Sequence, residues 1–396
     1  MDGMMTTFTV GSTSALNSAL SNAKGGDTIL LSAGDYAGIN LSGLRFADAV
    51  TIKSADPSAP AVITGMKVTA SNGLHFSDLV VNVTTGPTGG YAVRVDQSQD
   101  VHFDRVNFHG TLNNDPTDDG NALQFARSSN VAVRNSEFHE VKTGMNVGST
   151  DGIEVIGNYF HDIRIDGFQG THVTNALIAE NLFTNFKHLD GDHSDAIQFW
   201  TSGRVPGESS ENITIRNNVI VEGDGEVMQG IFMRDEVGNV PYINIKILDN
   251  VILGGNWNGI AVNHALGVQV SGNDLAAQTR SGANAGLPTQ SRLSITNSEN
   301  ATVTNNQASI FNYRDTNNIT QSGNSISRTI PDTTDASVRA WFSEHPDNLH
   351  GVPDTVHRTF NLSLADPQVS SPPPLLNGDI LVSIYVTHYG SEWALA

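Results

Sequence analysis

Residues 187–200 read Lys-His-Leu-Asp-Gly-Asp-His-Ser-Asp-Ala-Ile-Gln-Phe-Trp. Three aspartates, two histidines and a lysine fall within the first nine of these positions. Asp190, Asp192 and Asp195 offer oxygen donors on a glycine-containing loop, a set that suits a hard cation such as Ca²⁺. His188 and His193 titrate near neutrality and can take or give a proton. Lys187 can neutralise a carboxylate. An ordinary solvated loop has the same composition, so the place of this stretch in the fold decides what it can do.

That place follows from an internal repeat. Segments ending in DVHFDRVNF (Phe108), NVAVRNSEF (Phe138), GIEVIGNYF (Phe160), NALIAENLF (Phe183), NITIRNNVI (Ile220), NIKILDNVI (Ile252) and GVQVSGNDL (Leu275) share one pattern, with weaker copies after them. The shortest full spacings are 22 and 23 residues, and the longer ones read as the same unit with loop insertions. Each copy alternates apolar and polar residues, the period of a strand with one buried face. An Asn stands two residues before the end at 158, 181, 218, 250, 273, 306 and 324. Stacked at one corner, these side chains can bond one another and the bent backbone, and Asn tolerates the left-handed conformation of a sharp corner. A second strand per unit aligns through Val93, Leu123, Met145, Phe168, Ile197, Ile231, Ile260 and Leu293, all apolar. Strands repeating at this interval predict a parallel β-solenoid, all-β, with coils about 4.8 Å apart.

With its opening STSALNSALSNAKGGDTILLSAGDY at 12–36, an amphipathic helix leading into a strand, the chain resembles the right-handed parallel β-helix proteins of the pectate-lyase-like superfamily. The N-terminal region is most similar to the chondroitinase B and alginate lyase family. The resemblance covers about residues 7–326 and implies a right-handed β-helix with an N-terminal cap helix. It also implies action on polysaccharides, outside the cell or at its surface. The lyase family's catalytic signature is absent, so no residue role is carried over. The expected organisation is a solenoid over 1–326 and a C-terminal cap and tail over 327–396, with a helix at 335–345 closing the solenoid end and a linker-like stretch at 370–379.

In a solenoid, equivalent positions stack into columns. Lys142, Arg164 and Lys187 each lie four residues past a strand end in consecutive units, forming a cationic column on an acidic chain. His109, His139 and His161 form another, read as packing. Arg94, Gln124, Asn146, Gln169 and Gln198 point outward on the second strand beside a column of Gly and Ala, a surface suited to sugar hydroxyls. Trp200 and Arg234 share the next outward column, where an indole can stack on a sugar and a guanidinium can pair with a carboxylate. The stretch 187–195 holds a six-residue insertion relative to the coil before it, between the basic column and the amides, and the next coil carries another with Glu222, Asp224 and Glu226.

The bulk composition narrows the classes. The chain has 396 residues, 38 glycines and no cysteine, so neither disulfides nor thiolate metal sites arise. Its net charge of −20, 41 acids against 21 bases, disfavours nucleic acid and anionic membranes as partners. No apolar run is long enough to span a bilayer, and MDGMMTTFTV shows no signal-peptide pattern. β-Elimination of an acidic, uronate-containing polysaccharide needs a carboxylate-neutralising cation, a base for the C5 proton and an acid at the leaving oxygen. Lys187, Arg164, His188, His193 and Arg234 can fill these roles, with Lys142, Gln169, Gln198 and Trp200 binding substrate. His193 is the expected base, Lys187 and Arg164 the expected carboxylate clamps. C5 epimerisation would use nearly the same site. Hydrolysis would instead pair Asp192 or Asp195 with Asp235 or Glu236, and a non-enzymatic glycan-binding solenoid would only bind.

Overall fold

A computed structural model describes residues 5–86, 88–201, 208–255, 257–279, 290–345 and 354–362. The linker-like stretch 370–379 lies outside them. Thirty strands in this part pair in parallel, each coil on the next. Register is continuous. Phe108 lies beside Phe138, Phe138 beside Phe160 and Phe160 beside Phe183, and the line continues through Ile220, Ile252 and Leu275. The first three of these phenylalanine pairs stack with centroids 4.5, 4.7 and 4.7 Å apart, the inter-strand spacing itself. Period-two alternation sends these rings and the Val93–Leu293 column into one core that runs the length of the solenoid.

Six of the seven members of the Asn column are buried as expected, Asn158, Asn181, Asn218, Asn250, Asn273 and Asn306 all 0 % exposed, while Asn324 in the last coil is half-buried. The amide of Asn181 donates to Val155 O at 2.9 Å and to Asn218 Oδ1 at 2.9 Å, while its own Oδ1 accepts from the backbone and side-chain amides of Asn158, both at 2.9 Å. Asn218, Asn250 and Asn273 repeat the pattern. Burying so many amides is tolerable because every donor and acceptor is used. The left-handed backbone, however, belongs to the residue before each column Asn. Glu180, Asn217 and Asp249 have φ of 57°, 54° and 53°, and Gly157 and Gly272 hold the same place.

Helix α1 (Thr13–Asn22) caps the N-terminal end. Ser12 accepts from Ala15 N, and Leu16, Ala19 and Leu20 face the first coils. Helix α2 (Asp335–Glu344) forms where expected, but it does not close the solenoid end. Val338, Trp341 and Phe342 pack with Val356 and Phe360 of α3 (Asp354–Thr359) against Leu182, Val219, Val221, Val251 and Leu253 on the flank. Those strand residues are apolar on their outward side, and the helices cover them. No helix among the described residues is long and apolar enough to cross a membrane.

Candidate functional site

The second strand of each coil begins at one corner, where Asp166, Asp195 and Gln229 lie in register. Asp195 is buried, so its carboxylate needs partners. Its Oδ2 accepts from His193 Nδ1 at 2.7 Å and from Gln198 Nε2 at 2.8 Å. Burial pushes the Asp195 carboxyl up from its ordinary range against the His193 contact. Burial pushes Asp166 higher still, assisted by the neighbouring Asp195 charge. The hydrogen bond to Asp195 in turn raises the His193 imidazole against partial desolvation. With Nδ1 donating to Asp195, His193 presents Nε2 as an acceptor, and the Gln229 amide sits 2.7 Å from it. Asn258 donates to Gln229 Oε1, which turns the Gln229 NH₂ toward the imidazole. The His193 ring is half-exposed and its centroid lies 5.0 Å from that of Phe232.

The outward amides lead into this dyad. Gln124 donates to Asn146 Oδ1 at 3.2 Å, Asn146 to Gln169 Oε1 at 2.7 Å, and Gln169 to Gln198 Oε1 at 3.1 Å; Gln198 then donates to Asp195. The four amides form a head-to-tail ladder on the surface that ends on the buried carboxylate. Before Gln124 the same column carries the exposed cations Lys67 and Arg94, and it continues past Gln198 to Phe232. From Arg94 to Phe232 it spans five coil steps, about 24 Å at strand spacing. The neighbouring Gly and Ala column does not flatten this surface as expected. Ala92, Ala122 and Ala196 are buried. A Cβ on Gly167 would stand 2.7 Å from the Phe183 ring, and one on Gly230 would stand 2.3 Å from Gly259 O. These positions are small because they press inward on the core.

The inserted loop is anchored by ion pairs, which changes the reading of the cationic column. Lys142, Arg164 and Lys187 do follow one another in consecutive coils, since Arg164 N donates to Val141 O and Lys187 N to Ile163 O. Arg164 is mostly buried and grips Asp192 with both ends of its guanidinium, Nε–Oδ2 2.8 Å and NH2–Oδ1 3.1 Å. That pair lowers Asp192 and raises Arg164. Asp192 also accepts from Leu189 N at 3.0 Å, closing the loop. Lys187 reaches Asp162 at 2.7 Å and Asn114. Neither cation is placed as an open clamp. His188 bonds the carbonyl of its own neighbour Leu189. The histidine column is packing, as expected. His139 and His161 stack at 4.9 Å over Glu137; burial drives His139 down to about 4, while Asp162 and Glu137 outweigh burial and hold His161 at about 9.

Among the described residues, Arg234 is a solvent-facing cation beside the dyad. It is 57 % exposed with a 3.4 Å contact to Glu236, its charge acts on His193, and its strand partner is the half-buried Trp200. Asp235 is a different kind of residue. It is buried and accepts from Thr201 Oγ1, Val237 N, Val240 N and His264 Nδ1. Against burial, the Thr201 and His264 contacts and the loop amides bring it down to about 2. The loop 222–228 packs on residues 184–186, just before the inserted stretch, with Glu226 N donating to Phe186 O at 2.6 Å and Asp224 N to Asn185 Oδ1 at 2.9 Å, while Glu222 is buried and binds Gln278.

Asp190, Asp192 and Asp195 do not fit a Ca²⁺ site. Asp192 is committed to Arg164, Asp195 to His193 and Gln198, and Asp190 stands apart on the loop surface. Among the described residues, the one cluster of three possible ligands within reach of a single ion lies elsewhere, at His75, Asp100 and His102.

A family described as "Right handed beta helix region" matches residues 68–275, just over half of the chain. The chain belongs to the right-handed β-helix family. Its fold is similar to the catalytic unit of a GH87 α-1,3-glucanase from Streptomyces thermodiastaticus, at 14 % identity and TM-score 0.52, covering 84 % of this chain and 70 % of that one. It is also similar to an alginate lyase from a Paenibacillus species, at 19 % identity and TM-score 0.49 over 68 % of this chain and 94 % of that one. A surface adhesin of Streptococcus pneumoniae matches at 13 % identity and TM-score 0.45, covering 80 % of this chain and 88 % of that one. At these identities the similarity concerns the fold. No protein of curated function matches by sequence.

As a β-helix the chain builds its site from columns, and three members escaped the sequence reading. Asp166 and Gln229 sit at the first position of aligned second strands, a column that could have been read one place N-terminal of the small residues. Lys67 precedes Arg94 in the outward column, in a coil before the aligned repeats begin.

Proposed function

We propose that this β-helix protein is a polysaccharide lyase that cleaves a uronate-containing chain by β-elimination, with His193 as the base. The observation that carries the reading is the half-exposed His193, fixed through Nδ1 by buried Asp195 at the end of an amide ladder and beside the exposed Arg234. The substrate lies along Arg94, Gln124, Asn146, Gln169 and Gln198, whose free amide valences meet sugar hydroxyls. Trp200 packs against a ring. Arg234 takes the uronate carboxylate and stabilises the negative charge that develops at it, the clamp role first expected of Lys187 and Arg164. Lys187 and Arg164 hold the loop that carries His193.

In the reaction, the C5–H bond breaks and its proton passes to His193 Nε2, displacing the Gln229 contact. The C5 electrons form the C4=C5 double bond as the C4–O4 bond breaks, and the imidazolium returns its proton to O4. The products are an unsaturated uronate and a new hydroxyl-terminated chain. Two of the four carboxylates expected of a hydrolase are committed elsewhere, which leaves Asp195 with Glu236 as the pair for that alternative. Asp235 is too acidic and too fully bonded to protonate a leaving group, and Asp192 is held by Arg164. No step passes through a metal ion. Action outside the cell accords with a substrate of this size.

The test is a panel of uronate and neutral polysaccharides followed by ultraviolet absorbance and reducing ends together. Elimination yields both signals on a uronate substrate. Reducing ends without absorbance would establish hydrolysis, and altered C5 configuration without cleavage would establish epimerisation.

A further inference from the structure

A second constellation stands on another sheet of the solenoid, away from His193. His75 and His102 occupy the same register position on neighbouring strands and point outward. Their rings stack at 4.2 Å with 15° between planes. Asp100 lies two residues before His102 at a left-handed backbone position (φ 50°), and its carboxylate turns onto the face of the two histidines. The Nε2 atoms of His75 and His102 each approach Asp100 Oδ1 at 3.3 Å, and the three candidate ligand atoms lie within 4.8 Å of one another. Asn130, opposite in the next coil, donates to the same oxygen at 3.2 Å.

We propose that His75, Asp100 and His102 form a binding site for a divalent transition-metal ion of the Zn²⁺ class. Ligands about 2.0–2.1 Å from a tetrahedral zinc stand about 3.3–3.4 Å from one another, which is the His–Asp separation found here. Two imidazoles and one carboxylate match Zn²⁺, Ni²⁺ or Cu²⁺ and not Ca²⁺, which takes oxygen ligands. Imidazole χ2 is a soft torsion, so the stacked rings can tilt onto a shared ion. Asn130 becomes the second-layer partner that holds the carboxylate. All three ligands are partly exposed, which leaves an entry path and room for a water as fourth ligand. His102 and Asn130 also line a groove of about 340 Å³ with Arg134 and Glu154.

Calorimetric titration of the full chain with Zn²⁺, with Ca²⁺ as the control, tests this. The expected result is one saturable Zn²⁺ site per chain and no Ca²⁺ binding there. His102→Ala should weaken Zn²⁺ by more than the about 10–100-fold that losing an outer partner costs a metal site. Asp100→Asn, which preserves side-chain size and the stacked rings, should weaken it as well, and it decides the matter if His102→Ala fails to fold. Absence of saturable binding overturns the proposal. So does Zn²⁺ binding that both substitutions leave unchanged, since the ion would then sit on other histidines.

Discussion

Two amide ladders run along this solenoid and differ in what they leave over. The corner ladder from Asn158 to Asn306 is fully buried, and each amide spends both donor and acceptor on backbone and on its neighbour. The surface ladder from Gln124 to Gln198 is half-buried; Gln124 and Asn146 each spend one donor on the next amide, Gln169 bonds both Gln198 and Asp166, and Gln198 bonds Asp195. The first is saturated and can only hold the coils in register. The second keeps valences for a ligand and ends on Asp195, which orients a histidine and raises its pKa. Stacked amides are therefore no sign of function by themselves; exposure and the group at the end of the stack decide.

The largest effect should come from the buried ladder. Asn218→Leu strands the backbone and side-chain amides of Asn181 and the carbonyl of Ile178. At roughly 1–3 kcal/mol for each buried group left unpaired, a loss of at least about 3 kcal/mol is expected in denaturant unfolding. An unchanged midpoint would mean the corner can rehydrate and the two ladders are equivalent. At the far end of the surface ladder, Asp195→Asn should leave folding nearly intact and lower kcat/KM at least about tenfold, short of the roughly 10⁴-fold seen where a carboxylate fixes a catalytic triad histidine. Its pH profile is the sharper readout. Asp195 raises His193, so the unprotonated base of the wild type accumulates only above the ordinary histidine range, and activity should rise with pH through that raised pKa. Without the carboxylate the limb should move to lower pH; an unmoved limb would detach His193 from the rate. The smallest effect is expected within the surface ladder. Gln169→Ala should raise KM by a few-fold with kcat little changed, because it removes one of several substrate contacts made equally in ground and transition states.

Sequence spacing carried most of the fold. Strand alternation, the Asn column and the apolar second-strand column are local, periodic signals that name coil, corner and core. The side on which α2 packs was not legible, because the apolar outward faces of Leu182, Val219 and Val251 look like core residues until the coil is closed. Around the stretch 187–200, His193, Asp195 and Gln198 come into one hydrogen-bonded cluster, and Trp200 lies in register with Arg234. Side-chain pairing was beyond a column argument. Whether Arg164 meets a substrate carboxylate or Asp192 depends on how a six-residue insertion folds back, and insertions have no period. The inward direction of the small column was hidden for a related reason, since Gly and Ala suit a flat surface and a tight corner equally.

We propose that the surface ladder ends in a working base. It is tested most directly by the turnover of His193→Ala on the uronate polysaccharide that the panel identifies, read as the growth of unsaturated-uronate absorbance, in protein whose unfolding midpoint matches the wild type. A positioned base contributes about a hundredfold or more to rate, so kcat should fall at least that far with a modest change in KM. Near-normal turnover would rule His193 out as the base, sending the proton to another group and reducing the ladder, its carboxylate and its histidine to a second stack of packing.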